Sequence, residues 1–112
     1  MQENVLERVL SVPRSSIETV NRVDTQLLMF IAKAASKRTH AAMASRRDLA
    51  RAVGLSETRL RLATERLERG GYIVIEPCFA EDGGQRPNRY VVTPAGYQRI
   101  RMARDRMQRA CD

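Results

Sequence analysis

Arginine side chains recur through residues 57–69, and their type and spacing fit a chemical role better than any other residues of this chain. A guanidinium group is planar and always charged, so it can donate paired hydrogen bonds to a phosphate or to a guanine edge. At about 100° per residue, Thr58, Arg61 and Leu62 share one helix face, with Arg59 on its flank. An isolated arginine-rich helix would not by itself indicate DNA binding, but this one follows the helical segment from Ser45 to Gly54 at short spacing, and that context favours a helix face that contacts DNA. The alternative is a solvated helix whose charges serve only solubility.

Ten residues are candidates for DNA contact. Arg61 and Thr58, together with Arg59, are predicted to read base edges from the outward helix face. Leu62 lies on the same face, and Arg89 lies further along the chain near a predicted loop. The residues expected to hold phosphates are Arg46, Arg47, Ser56, Arg66 and Arg86.

One histidine and two separated cysteines leave little material for catalysis or metal binding. His40 has no cysteine near it in sequence, and Cys78 and Cys111 lack the CxxC spacing of zinc sites. The sequence also lacks a Walker loop, a GxGxxG turn after a strand, an HExxH helix and a GxSxG elbow. We therefore expect a protein that is not an enzyme and that uses no cofactor or metal.

The chain is strongly basic and short. Its 112 residues suit a single domain, and its formal net charge is +7, with a pI near 10.4. A pI above about 9 is typical of nucleic-acid binders. All of the 20 basic side chains except Lys33 and Lys37 are arginines, although GC-rich coding would explain that preference equally well. No apolar run could span a bilayer or serve as a signal peptide, so we expect a cytoplasmic protein without membrane contact.

The elements that must position these arginines begin at Ser45. Its hydroxyl can cap a short helix, with Asp48 at the third position of a capping-box-like start. Gly54 can adopt the positive φ that ends a helix, and Ser56 can cap a second one. That second helix has a buried stripe at i, i+3, i+4 and i+7, which consists of Leu60, Ala63, Thr64 and Leu67. Residues 45–69 therefore predict a helix-turn-helix.

Two strands follow within residues 72–93. They are rich in β-branched and aromatic residues, and a polar loop with Gly83 and Gly84 separates them. A hairpin directly after a helix-turn-helix is the wing of a winged helix. Arg86 is expected to contact the backbone or minor groove of DNA, whereas the two acidic residues near the tip would repel phosphate.

Helices are predicted on both sides of the winged region. Residues 1–20 are expected to form an N-terminal helical extension in which Pro13 ends a first short helix. An apolar stripe continues beyond it, and the alanine-rich segment 32–44 is expected to hold the end of the next helix. Residues 94–111 predict a C-terminal helix that begins with a proline. The predicted fold class is mainly α with a small β-hairpin (α+β), in one domain over residues 1–112.

The sequence resembles the winged helix of bacterial transcription regulators of the MarR type, and ArsR-type and PadR-type relatives fit as well. The resemblance is carried by SRRDLARAVGLSETRLRLATERLERGGYIVIEP and GGQRPNRYVVTPAGYQRI, and it covers about residues 25–105. It implies a transcriptional regulator that binds palindromic double-stranded DNA. It also implies a homodimer that is joined through the N- and C-terminal helices.

Two other functions are compatible with the same residues. A winged helix can bind proteins, in which case the apolar N-terminal stripe would dock a partner and the basic face would be incidental. A short winged helix can also bind repeated DNA sites in plasmid or phage replication or partition. Salt separates the first alternative from a DNA binder, because phosphate contacts make the affinity fall steeply as salt rises. The arrangement of bound sites separates the second.

Overall fold

The structure, a computed structural model, describes residues 5–78 and 87–111, with side chains placed over residues 18–78 and 87–109. Within these ranges the chain forms four helices and a three-stranded antiparallel sheet, which confirms the mainly helical α+β class. In chain order the elements are α1 (Val5–Ala34), β1 (Ala41–Ala44), α2 (Arg46–Val53), α3 (Glu57–Arg69), β2 (Ile73–Glu76), β3 (Asn88–Val92) and α4 (Pro94–Cys111). No helix in the described part of the chain has the length and apolar character needed to cross a membrane.

Helix α1 is longer than the sequence predicted. It runs without interruption from Val5 to Ala34, so the helix end expected at Pro13 is wrong. A proline removes one backbone hydrogen bond from a helix interior, but the turns on either side keep theirs and can carry the helix through. From Val5 onward, the extension predicted for residues 1–20 is therefore the first part of α1.

The sheet contains a strand that the sequence did not predict. The predicted hairpin forms as β2 and β3, and β1 pairs with the other edge of β3. The register of β1 runs from Ala41 opposite Val91 to Ala44 opposite Asn88. Alanine has a low strand propensity. This strand therefore depends on the hydrogen bonds that β3 offers and on the burial of Ala41 and Ala42.

The core lies where α1 packs on α3 and the sheet. Leu28 and Ile31 of α1 are fully buried, and so are Leu60 and Leu67 of α3. The predicted stripe of α3 is buried at all four positions, as periodicity predicted. Burial of each such aliphatic side chain contributes about 1.5–3 kcal/mol. These contacts fix the inner face of α3 and leave the opposite face at the surface.

Both predicted serine caps are present. The backbone N–H of Asp48 donates to Ser45 Oγ over 3.0 Å, and that of Arg59 donates to Ser56 Oγ over 3.1 Å. Gly54 ends α2 with φ of 75°, the left-handed conformation that glycine adopts at little cost. The short connection between α2 and α3 is thus fixed by local contacts at both ends.

Replacing Ser45 by alanine is expected to lower the free energy of unfolding by about 1 kcal/mol, because the N–H of Asp48 loses its acceptor. Urea unfolding followed by circular dichroism measures this change. Ser45→Thr, which keeps a hydroxyl, is the matched control and should cost clearly less. Equal losses in the two variants would show that the hydroxyl does not cap α2.

Candidate nucleic-acid interface

The outward face of α3 carries the residues predicted to read bases. Thr58, Arg59 and Arg61 are exposed, and Leu62 remains 42% exposed although it is apolar. The buried stripe on the opposite side holds this face outward, because Leu60 and its neighbours cannot leave the core. The structure therefore brings the predicted base-reading residues together on one accessible surface.

Arg61 forms a weak local ion pair on this surface. Its Nη1 donates to Glu65 Oε1 over 3.0 Å, one helical turn away, and the two side chains are 46% and 44% exposed. An exposed pair at this spacing contributes only about 0.3–0.5 kcal/mol. The guanidinium can therefore exchange Glu65 for a stronger partner at little cost.

Three of the predicted phosphate contacts are also accessible. Arg46 and Arg47 are exposed in the first turn of α2, and Ser56 is exposed at the N-terminus of α3. Ser56 Oγ accepts a hydrogen bond from its own helix, but its hydroxyl hydrogen can still be donated. Partial positive charge at the N-terminus of α3 also favours an anion nearby.

Arg66 makes an internal contact that the sequence did not predict. Its Nε donates to Asp24 Oδ2 over 2.8 Å, and its Nη2 donates to Asp24 Oδ1 over 2.9 Å. Asp24 is only 4% exposed, and this hydrogen bonding raises the pKa of Arg66. Two of its three guanidinium nitrogens therefore donate to α1 in an internal contact that joins α3 to α1, and its phosphate contact stays a prediction.

Two of the predicted contacts, Arg89 and Arg86, belong to the hairpin region. Arg89 Nε lies 3.2 Å from Glu76 Oε1 of the neighbouring strand, and the two residues are direct cross-strand partners. The contact lacks hydrogen-bond geometry, so within the described residues Arg89 Nε has no hydrogen-bond partner, and the side chain is 40% exposed. Arg86, the predicted backbone or minor-groove contact, lies outside the described residues, as does the loop that was predicted to form the tip.

Two residues that the sequence analysis did not select prove important for this geometry. Asp24 interrupts the apolar stripe of α1, and a carboxylate at such a position signals a buried partner. Arg99 of α4 contacts α1 and stacks on Tyr72 at the start of the hairpin. Nothing in the local sequence around Arg99 distinguishes it from the other arginines of α4.

An open groove of about 1100 Å³ runs between α1 and α4. Met102 and Met107 of α4 line it and are 54% and 59% exposed. Met29 of α1 and Tyr72 line the opposite side. Within the described residues, no group of three His, Cys, Asp or Glu side chains is placed to hold a metal ion. The groove combines apolar side chains with charged ones, among them Glu18, Arg22 and Arg106.

Solved structures of similar fold include two proteins described as transcriptional regulators and one described as a heme sensor. BldR from Sulfolobus solfataricus is 17% identical, with a TM-score of 0.60 over 99% of this chain and 83% of that one. A transcriptional regulator from Clostridium thermocellum is 20% identical, with a TM-score of 0.60 over 80% and 84%. The heme sensor PefR from Streptococcus agalactiae is 17% identical, with a TM-score of 0.61 over 97% and 77%.

No protein-family model matches the sequence, and no curated protein matches it either. At identities of 17–20% the likeness to solved structures concerns the fold. The chain has a winged-helix fold, as the sequence predicted.

Proposed function

We propose that this chain binds specific sequences of double-stranded DNA and regulates transcription. The observation that carries the proposal is the outward face of α3. Thr58, Arg59, Arg61 and Leu62 are exposed there, on a helix whose N-terminus is capped and whose opposite face is buried. Regulators with the same fold support the transcriptional role. Such a role would place the chain in the cytoplasm and includes no catalytic step.

The proposed contacts are of two kinds, to base edges and to phosphates. Arg61 and Thr58, with Arg59, would donate to base edges, and Leu62 would make an apolar contact in the major groove. Arg46, Arg47 and Ser56 would hold phosphates at the ends of α2 and α3. Arg86 stays a proposed contact of the hairpin. Arg66 would act mainly as a link to α1, because two of its nitrogens donate to Asp24, and Arg89, which is 40% exposed, stays a proposed contact.

We also propose a homodimer that is joined through α1 and α4. The exposed methionines of the α1–α4 groove support this, since apolar side chains at such exposure gain from being covered. The elongated shape supports it as well. The radius of gyration is 16.5 Å, against about 13 Å for a compact domain of this length. A two-fold dimer would present two copies of α3 about 34 Å apart to a palindromic site.

Selection of genomic DNA fragments by the purified protein, with sequencing of the bound DNA at moderate salt, tests the function directly. Enrichment of a palindrome with half-sites about one helical turn apart is the expected result. Tandem direct repeats would instead support a replication or partition protein. Binding without enrichment, lost uniformly as salt rises, would remove the proposal of base reading.

Replacing Arg61 by alanine is expected to weaken the binding free energy for the selected site by about 1–3 kcal/mol. Most of the affinity for unselected DNA of the same length should remain. The reason is that a bidentate base contact contributes only on the correct sequence. Fluorescence anisotropy with both DNAs measures the two affinities.

Arg101→Ala is the control for this prediction, because it removes the same charge from an exposed position on α4. It should change the two affinities equally. An equal loss on both DNAs for Arg61→Ala would count against base reading by this residue.

A further inference from the structure

A single turn of α1 is held from two sides. On one side, Arg66 of α3 clamps Asp24 through two hydrogen bonds. On the other side, Arg99 of α4 donates from Nε and Nη2 to Thr25 Oγ1 over 3.2 and 3.0 Å. Its Nη2 also lies 3.3 Å from the backbone oxygen of Asn21. The recognition helix α3 and the C-terminal helix α4 therefore share one anchoring turn.

Arg99 also contacts the base of the hairpin. Its Cζ lies 4.7 Å from the centre of the Tyr72 ring, within the range of a cation–π interaction. Tyr72 directly precedes β2, and its backbone N–H donates to Leu67 O at the end of α3 over 2.9 Å. Its backbone oxygen accepts from the N–H of Thr93, which follows β3, over 3.1 Å. Tyr72 thus connects both strands of the hairpin to the helices beside them.

We propose that Arg99 is a positioning residue for DNA reading. By joining Thr25 and Tyr72, it fixes the base of the hairpin relative to the turn of α1 that holds α3. Arg99 thus adds a side-chain contact to the hydrogen bonds that already join the hairpin base to the end of α3. This inference rests on the proposed DNA-binding function, because positioning matters only where both elements contact the same DNA.

The shape of the guanidinium explains why arginine serves here. Its edge donates to Thr25 and Asn21 while its flat face covers the Tyr72 ring, so one side chain makes both contacts at once. A lysine could place its charge near the ring and donate to Thr25, but it lacks the planar fork. A glutamine could donate to Thr25 but has no charge. The affinity for specific DNA is therefore expected to be highest with arginine at position 99, lower with lysine and lowest with glutamine.

Hydrogen exchange in the absence of DNA tests the joint, which is the contact of Arg99 with both Thr25 and Tyr72. In Arg99→Gln, the amide hydrogens of Tyr72 and Thr93 should exchange about tenfold faster than in the natural protein, because the base of the hairpin opens locally. The amides of Ala63 and Thr64 in the middle of α3 should be unchanged. Arg99→Lys should lie between the two. Arg101→Gln, which removes an exposed charge from the same helix, should leave all four amides unchanged.

DNA binding tests the consequence for reading. The probe is the fragment enriched by genomic selection, with an unselected fragment of equal length beside it. Arg99→Gln should bind the enriched fragment roughly three- to thirtyfold more weakly. In footprinting, the DNA that the hairpin protects beside the major-groove contact of α3 should lose its protection. Arg99→Lys should recover part of this loss. Affinity for the unselected fragment should match that of Arg101→Gln.

Three results would overturn the inference. Faster exchange at all amides, including Ala63 and Thr64, would show a general loss of stability. Unchanged exchange at Tyr72 and Thr93 would show that Arg99 does not hold the hairpin. Equal affinities of Arg99→Gln and Arg101→Gln for the enriched fragment would show that the joint does not affect reading. A natural protein without sequence preference would remove the proposed function and with it the role of Arg99 in reading, whereas the exchange measurement would still decide whether Arg99 holds the hairpin base.

Discussion

Replacing Arg66 by alanine is expected to lower the free energy of unfolding by about 3 kcal/mol. The variant strands the carboxylate of Asp24, which is 4% exposed and receives both of its short hydrogen bonds from Arg66. An unpaired buried charge is costly because water cannot replace the lost donors. The side chain of Arg66 is itself 36% exposed, so we expect the lower end of the range for buried pairs. Urea unfolding measures the loss.

Arg69→Ala is the matched control for this prediction. Arg69 lies on the same helix, is exposed and carries the same charge, so its loss should change stability by less than about 0.5 kcal/mol. A double-mutant cycle with Asp24→Ala separates the pair from its surroundings. The double variant should be less destabilised than the sum of the two single variants, because neither partner is left alone. Additive losses would contradict a direct pairing of Asp24 with Arg66.

Gly96→Ala is expected to destabilise the protein by about 3 kcal/mol, although alanine favours helices. Gly96 is buried near the start of α4, and an added Cβ would overlap the backbone oxygen of Tyr72. The same Cβ would also lie 2.9 Å from Val92 Cγ1. The oxygen of Tyr72 cannot move freely, since it accepts the N–H of Thr93. Thermal and urea unfolding of the variant measure the change.

The sign of this change is the decisive feature. On helix propensity alone, alanine in place of glycine would stabilise α4 by about 0.5–1 kcal/mol. Gln98→Ala, at an exposed position of the same helix, is the control and should be close to neutral. Val92→Ala combined with Gly96→Ala should not restore stability, because the overlap with the backbone of Tyr72 remains. A stabilised Gly96→Ala protein would show that α4 does not pack this closely on the hairpin base.

Both substitutions would act on the frame that holds α3 rather than on its exposed face. Arg66 joins α3 to α1, and Gly96 allows α4 to approach the residue that links α3 to the hairpin. Substitutions such as Arg61→Ala, at an exposed position, should leave stability nearly unchanged. Separate measurements of unfolding and DNA affinity therefore divide the arginines into structural and DNA-contacting groups.

Elements that depend on neighbours in sequence could be predicted from the sequence. Ser45 and Ser56 cap their helices through N–H groups three residues away, and Gly54 needs only its own backbone freedom. The buried stripe of α3 follows from helical periodicity. These signals lie within a few residues of the structure that they specify, so the helix-turn-helix and its outward face could be recognised without tertiary information.

Contacts between residues far apart in the sequence decided which arginines are paired and whether β1 forms, and the sequence could not show either. Arg66 and Arg61 have the same side chain on the same helix, yet one pairs with Asp24, 42 residues earlier, and the other with Glu65 in the next turn. Likewise β1, which is built mostly of alanine, exists because β3 supplies a ladder about 50 residues away. The sequence by itself determined which residues cap, turn and bury. Only the tertiary structure decided which arginines are free to bind, since a side chain's partner is set by the helix or strand packed against it and not by its own chemistry.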